Sequence, residues 1–167
     1  MAEDIIITEA LEAKRLADDL IPYYHLHLLD ARILYLFTTQ ERKKCDRVRL
    51  GSAKKFSALE RYLSSRHFDD GQEASVFTGA DFLIMIDVNQ WETLSTTQRL
   101  ALVDHELGHC ARFEKITDTG VVGRWGLKAH DVEAFFGEIE RHGLWKRDLQ
   151  DTATAMKQHV LPLEVQA

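Results

Sequence analysis

The stretch Val103-Asp104-His105-Glu106-Leu107-Gly108-His109-Cys110 decides how the rest of the chain is read. It contains an H-E-x-x-H pattern, His105 to His109. On a helix, residues four apart lie on one face, so these two imidazoles can aim at one point. Zn²⁺ accepts imidazole nitrogen at roughly 2.0–2.1 Å, and two histidines one turn apart suit that reach. Glu106 leans to the same side, where it can take a proton from a metal-activated water rather than bind the metal. Upstream, Ser95-Thr96-Thr97-Gln98 reads as a capping box, and no proline follows until Pro162. At about 100° per residue, His105, His109, Leu102 and Glu106 share one sector. Leu100, Val103, Leu107, Cys110 and Ala111 share another. A polar, metal-competent sector and a separate apolar one favour a buried scaffold helix over a surface helix with two solvated histidines.

Outward from this helix, Phe82-Leu83-Ile84-Met85-Ile86-Asp87-Val88 is the most hydrophobic run and reads as a buried strand leading into it. Asp30 to Phe37 reads as a second buried strand, and Arg47 to Gly51 as a half-exposed one. Thr8 to about Leu20 reads as a first helix, with Thr8 as N-cap and Pro22 as its end. Ser57 to Ser65 reads as a short helix, and Arg66 to Gly79 as a loop. After Cys110, the glycines 120, 123 and 126 suggest turns and at most a short hairpin. A helix is expected from His130 to about His142, stopped by Gly143, and a last one from Leu144 to about His159. The fold class is therefore α+β in a single domain over residues 1–167. A small, mainly antiparallel sheet of about three strands packs on the central helix, with further helices at both ends.

The 167 residues carry 27 acidic and 21 basic side chains, a formal charge of −6, which argues against a general nucleic-acid-coating surface. No apolar run approaches the roughly 18 residues of a membrane span. Met-Ala-Glu-Asp lacks the basic start of a signal peptide, and only Cys45 and Cys110 are present, so a reduced, cytoplasmic protein is expected. Cys110 falls in the apolar sector and reads as a core residue. Locally, Arg42, Lys43, Lys44, Arg47, Arg49, Lys54 and Lys55 face only Glu41 and Asp46. This stretch is either a solvated edge protected by charge or, less favoured, a contact for an acidic partner such as DNA. His25 and His27 could form a second metal pair, but two rings packing on a loop is the simpler account.

A catalytic zinc needs three protein ligands and one open position. The candidates for the third are His130, Glu133, Asp131, Glu138 and His142. His130 is preferred because it opens a helix after a glycine-rich loop that can carry it back over the H-E-x-x-H helix. Glu133 comes next. Asp131 and Glu133 also suit the helix N-terminus or an orienting role beside a ligand. His142 reads as a surface residue.

His-Glu-Leu-Gly-His-Cys followed by His130-Asp131-Val132-Glu133-Ala134-Phe135 resembles the SprT-like short zinc metallopeptidases, although Asp131 replaces the expected Gly and the Phe is shifted by one. Asp30–Phe37, Val103–Cys110 and His130–Phe135 together resemble the phage metallopeptidase family more closely, over about residues 21–145. That resemblance implies a zincin-like fold, His105, His109 and His130 as ligands of Zn²⁺, Glu106 as the catalytic base, and a protein or peptide substrate in the host cytoplasm. Arg124 and Trp125 are weak candidates for stabilising the oxyanion. Two other functions compete: a zinc-stabilised binding or regulatory protein without turnover, and a protease acting on DNA-associated proteins.

Overall fold

The computed structural model describes residues 4–44, 47–68, 71, 73–131, 139, 141–144 and 147–158. The chain enters through a short strand, β1 (Ile7–Glu9), and a 14-residue helix, α1 (Leu11–Tyr24). Strand β2 (Ile33–Thr38) follows, then a two-stranded ribbon of β3 (Lys43–Lys44) and β4 (Arg47–Val48), then β5 (Gly51–Lys55). Helix α2 (Ala58–Ser64), strand β6 (Phe82–Asp87) and helix α3 (Val88–Thr93) lead to α4 (Thr96–His109). A hairpin of β7 (Cys110–Thr117) and β8 (Gly120–Leu127) leaves α4 directly. The last described helix is α5 (Arg147–Gln158).

The fold is α+β as expected, but the sheet is larger and mixed. Its four strands run in the order β1-β2-β6-β5. β2 and β6 are parallel, in register from Ile33↔Phe82 to Thr38↔Asp87, while β1 and β5 add antiparallel at the two edges. Both inner strands are near-continuous apolar runs, the composition of parallel strands covered on both faces, and the long β2-to-β6 connection gives the crossover that parallel pairing requires. The fourth strand comes from residues read as the approach to a helix. Thr8 pairs with Phe37 and caps nothing, since Ile7-Thr8 is β-branched and finds a free sheet edge. Helix α1 therefore starts later, from Ala10, without a side-chain cap. Pro22 lies inside it, close to its end, rather than stopping it.

Packing divides the chain into two compact units, residues 1–128 and 129–167. The core of the first unit joins Ala13, Ala17 and Leu20 of α1 to Ile33 and Tyr35 of β2, Phe82, Ile84 and Ile86 of β6, and Val103, Leu107 and Cys110 at α4. In the second unit, Gly143 has φ +65° and its N–H donates to the Ile139 carbonyl (2.8 Å), the helix stop expected there. Most of the helix expected before it, including Glu133 and Glu138, lies outside the described residues. Among the described residues, no helix is long and apolar enough to cross a membrane.

Candidate metal centre

Helix α4 is anchored at both ends. At its start, Ser95 Oγ accepts from the Gln98 N–H (3.3 Å) and Gln98 Oε1 accepts from the Ser95 N–H (2.9 Å), the reciprocal cap read from the sequence. At its end the chain turns straight into β7. The backbone N–H of Lys128, just beyond β8, donates to the His109 carbonyl (2.8 Å). His109 Nδ1 lies 2.8 Å from the Lys128 carbonyl oxygen. A carbonyl only accepts, so Nδ1 carries the proton and the lone pair sits on Nε2. Orientation of a ligand imidazole by a backbone carbonyl is the usual support of a metal-binding histidine. The His105 ring stands 5.0 Å from that of His109, at 87°.

Glu106 departs from the helical-wheel expectation. It belongs to the polar sector, yet it is only 4% exposed. Its carboxylate packs on Gly51, at the start of β5. A Cβ built on Gly51 would stand 2.7 Å from Glu106 Oε1, so the missing side chain is the space the carboxylate occupies. The Ala53 backbone N–H lies close enough to the same carboxylate to favour its charged form, and Oε2 is buried with no hydrogen-bond partner among the described residues. Burial raises the Glu106 pKa above its usual range, against the opposing pull of His109, Arg49, Arg42 and the Ala53 N–H.

Part of the basic stretch is thus turned inward rather than left as a solvated edge. Arg42 is half-buried and donates to Ser52 Oγ (2.7 Å) and the Met85 carbonyl (3.0 Å). The Arg49 N–H in turn donates to the Arg42 carbonyl (2.8 Å). Lys43 pairs with Glu41 (2.8 Å), and Lys54 pairs with Glu60. Cys45 lies outside the described residues.

His25 and His27 do not pair over a common point. His25 Nε2 meets Asp104 Oδ1 (2.7 Å) and His27 Nε2 meets the Cys110 carbonyl (2.9 Å). Each ring pins the turn after α1 to one end of the H-E-x-x-H segment. Cys110 is fully buried, and burial pushes its thiol up to about 12, so it serves as an apolar core group. Arg124 and Trp125 line a cleft with Lys55, four residues along β5 from Gly51. Sequence reasoning missed Gly51, Ala53 and Arg42. A glycine opening a polar, short strand was the only available signal.

His105 and His109 stand together on α4 in the first unit, and His130 opens the second; all three offer imidazole nitrogens of the kind that could hold a metal ion. His130 follows Lys128 by two residues, within about 7 Å of chain reach of the residue that clamps His109. Asp131 and His142 are both exposed. The donor set fits a borderline cation that prefers imidazole.

A profile of the family described as "Putative phage metallopeptidase" matches residues 6–157. No curated protein and no solved structure matches the chain.

Proposed function

The chain belongs to the phage metallopeptidase family, and we propose that it is a zinc-dependent peptidase in which His105, His109 and His130 hold the metal and Glu106 is the general base. The observation that carries this reading is the Glu106 carboxylate. It is buried one residue from the His105 ligand position and given room by Gly51, with one oxygen unpartnered. A purely structural metal site has no use for such a group.

A zinc ion bound there supplies a Lewis acid that polarises the scissile carbonyl and makes water acidic enough to be deprotonated near neutral pH. The protein supplies the rest. The Glu106 carboxylate takes the proton of the attacking water and returns it to the departing amine nitrogen. The Ala53 N–H and the guanidinium groups of Arg42 and Arg49 favour the charged carboxylate, while burial disfavours it. That balance suits a group that must both accept and release a proton. Strand β6 is enclosed by β2 and β5, so β5, whose only ladder partner among the described strands is β6, is the strand beside which an extended peptide can lie.

Glu106→Gln tests the assignment. The variant keeps the metal content and thermal midpoint of the parent and loses about 10²–10⁴-fold in turnover of an unfolded protein substrate. Equal hydrolysis by variant and parent rejects the role of Glu106.

A further inference from the structure

Beyond Glu106 along β5 lies a cleft of about 440 Å³ lined by Lys55, Phe113, Arg124, Trp125, Gly126 and Leu127. A second, of about 180 Å³, shares Lys55, Arg124 and Trp125 with it. From these features we infer that the cleft is a specificity subsite for a carboxylate of the peptide substrate, with Lys55 and Arg124 as the residues that read it. The inference rests on the peptidase reading for the word substrate, but not for the binding itself.

The first argument is charge. Neither Lys55 nor Arg124 has an ion-pair partner among the described residues, whereas Arg61, which lines the smaller cleft, is neutralised by Asp81 at 2.8 Å. In a chain of net charge −6, two unmatched cations facing one cleft mark a local reversal of sign. An acidic group gains there and is repelled elsewhere.

The second argument is construction. Phe113 and Arg124 are directly paired across the hairpin and so share a face. A Cβ built on Gly126 would stand 2.6 Å from the Phe113 ring, so the ring lies over the glycine and forms an apolar wall beside the cations. Trp125 is anchored on the Phe82 ring, 5.7 Å away and nearly perpendicular, and carries the Arg112 guanidinium over its face at 5.1 Å. An aromatic wall beside paired cations lowers the local dielectric and strengthens a charge contact.

The third argument is position. Gly51, Ala53 and Lys55 share one side of β5; Glu106 packs on Gly51, with the Ala53 N–H near enough to act on its charge. Lys55 is about 7 Å beyond Ala53 at roughly 3.3 Å per residue. A peptide extended beside β5 with its scissile bond at Glu106 therefore presents a side chain about two residues away to Lys55 and Arg124. A free C-terminus two residues from the cut would present the same carboxylate chemistry.

Binding is read by fluorescence anisotropy on the zinc-loaded full chain carrying Glu106→Gln, so that no peptide is consumed. The probes are labelled apolar peptides with one internal Glu, the same peptides with Gln or Lys there, and Gln peptides ending in a free acid or an amide. The expected result is roughly fivefold tighter binding of the Glu peptide than the Gln peptide, weakened by salt. Preference for the free acid over the amide, without preference for internal Glu, assigns the carboxylate to the C-terminus and upholds the cleft. The Lys55→Glu, Arg124→Glu double variant is expected to prefer the Lys peptide, a reversal that a merely misfolded variant cannot produce. Indifference of the parent to all carboxylates overturns the inference, as does an unchanged preference in the double variant or displacement of the Glu peptide by a thymidine oligonucleotide of equal affinity. A retained preference alongside a parent that cleaves nothing fails the peptidase reading alone.

Discussion

Helices α1 and α4 are both 14 residues long and pack on each other, yet they are held in different ways. Helix α1 is held by its middle. It begins without a side-chain cap and contains a proline, but Ala13, Ala17 and Leu20 give it a small, uninterrupted buried stripe. Helix α4 buries Val103 and Leu107 together with a carboxylate, Glu106, and it is held by its ends. Ser95 and Gln98 close its first turn, His25 and His27 reach Asp104 and Cys110, and Lys128 clamps His109 from two sides. When the middle of a helix buries a carboxylate, hydrophobic packing alone no longer fixes it, and hydrogen bonds toward its ends take over.

The largest effect that separates the two helices is expected from Gly51→Ala. A Cβ there would collide with Glu106 Oε1. Turnover should fall by roughly 10²-fold through displacement of the carboxylate, with metal content retained because His105 and His109 are untouched. Unchanged turnover would show that Glu106 does not work from this position. Next is Ser95→Ala, which removes the cap of α4 and should lower stability in urea unfolding by about 1 kcal/mol. If α4 were held by its middle, as α1 is, the loss would be negligible.

The smallest effect concerns the tie between the helices. Glu12 of α1 accepts from Trp91 Nε1 (3.1 Å) and from Arg99 of α4 (2.9 Å). The Trp91 hydrogen bond and then Arg99 lower its pKa below the usual 4.5. A lowered folded-state pKa means the stabilisation is complete above the usual Glu range and is lost as pH falls through the depressed value. Glu12 is half-exposed, so solvent screening limits the contribution to at most about 1 kcal/mol. Glu12→Gln should flatten the acid side of the stability–pH curve and leave the neutral side slightly lower. An unchanged acid limb would remove Glu12 as a tie.

The same contrast explains what the sequence disclosed. The capping box, the apolar faces of Val103 and Leu107, and the Phe82–Asp87 run obey local rules and can be read directly. Strand β5 cannot. Gly51-Ser52-Ala53-Lys54-Lys55 has no apolar alternation, since its order comes from pairing with β6 and from the Glu106 carboxylate packed on Gly51. The hairpin after Cys110 is longer than its glycines suggested, because Gly123 and Gly126 admit the side chains of Arg112 and Phe113 from the opposite strand rather than breaking the pairing. The inward turn of Arg42 depends on Ser52 and Met85, 10 and 43 residues away, and leaves no periodic trace.

The central claim is that α4 is organised around a metal. The direct test is the metal content of the purified full chain by plasma mass spectrometry, for the parent and for His130→Ala. The account predicts one zinc per chain in the parent and much less in the variant. Full zinc in the variant would contradict His130 as the third ligand. A parent that takes up no zinc, even when zinc is added back, would contradict the account as a whole.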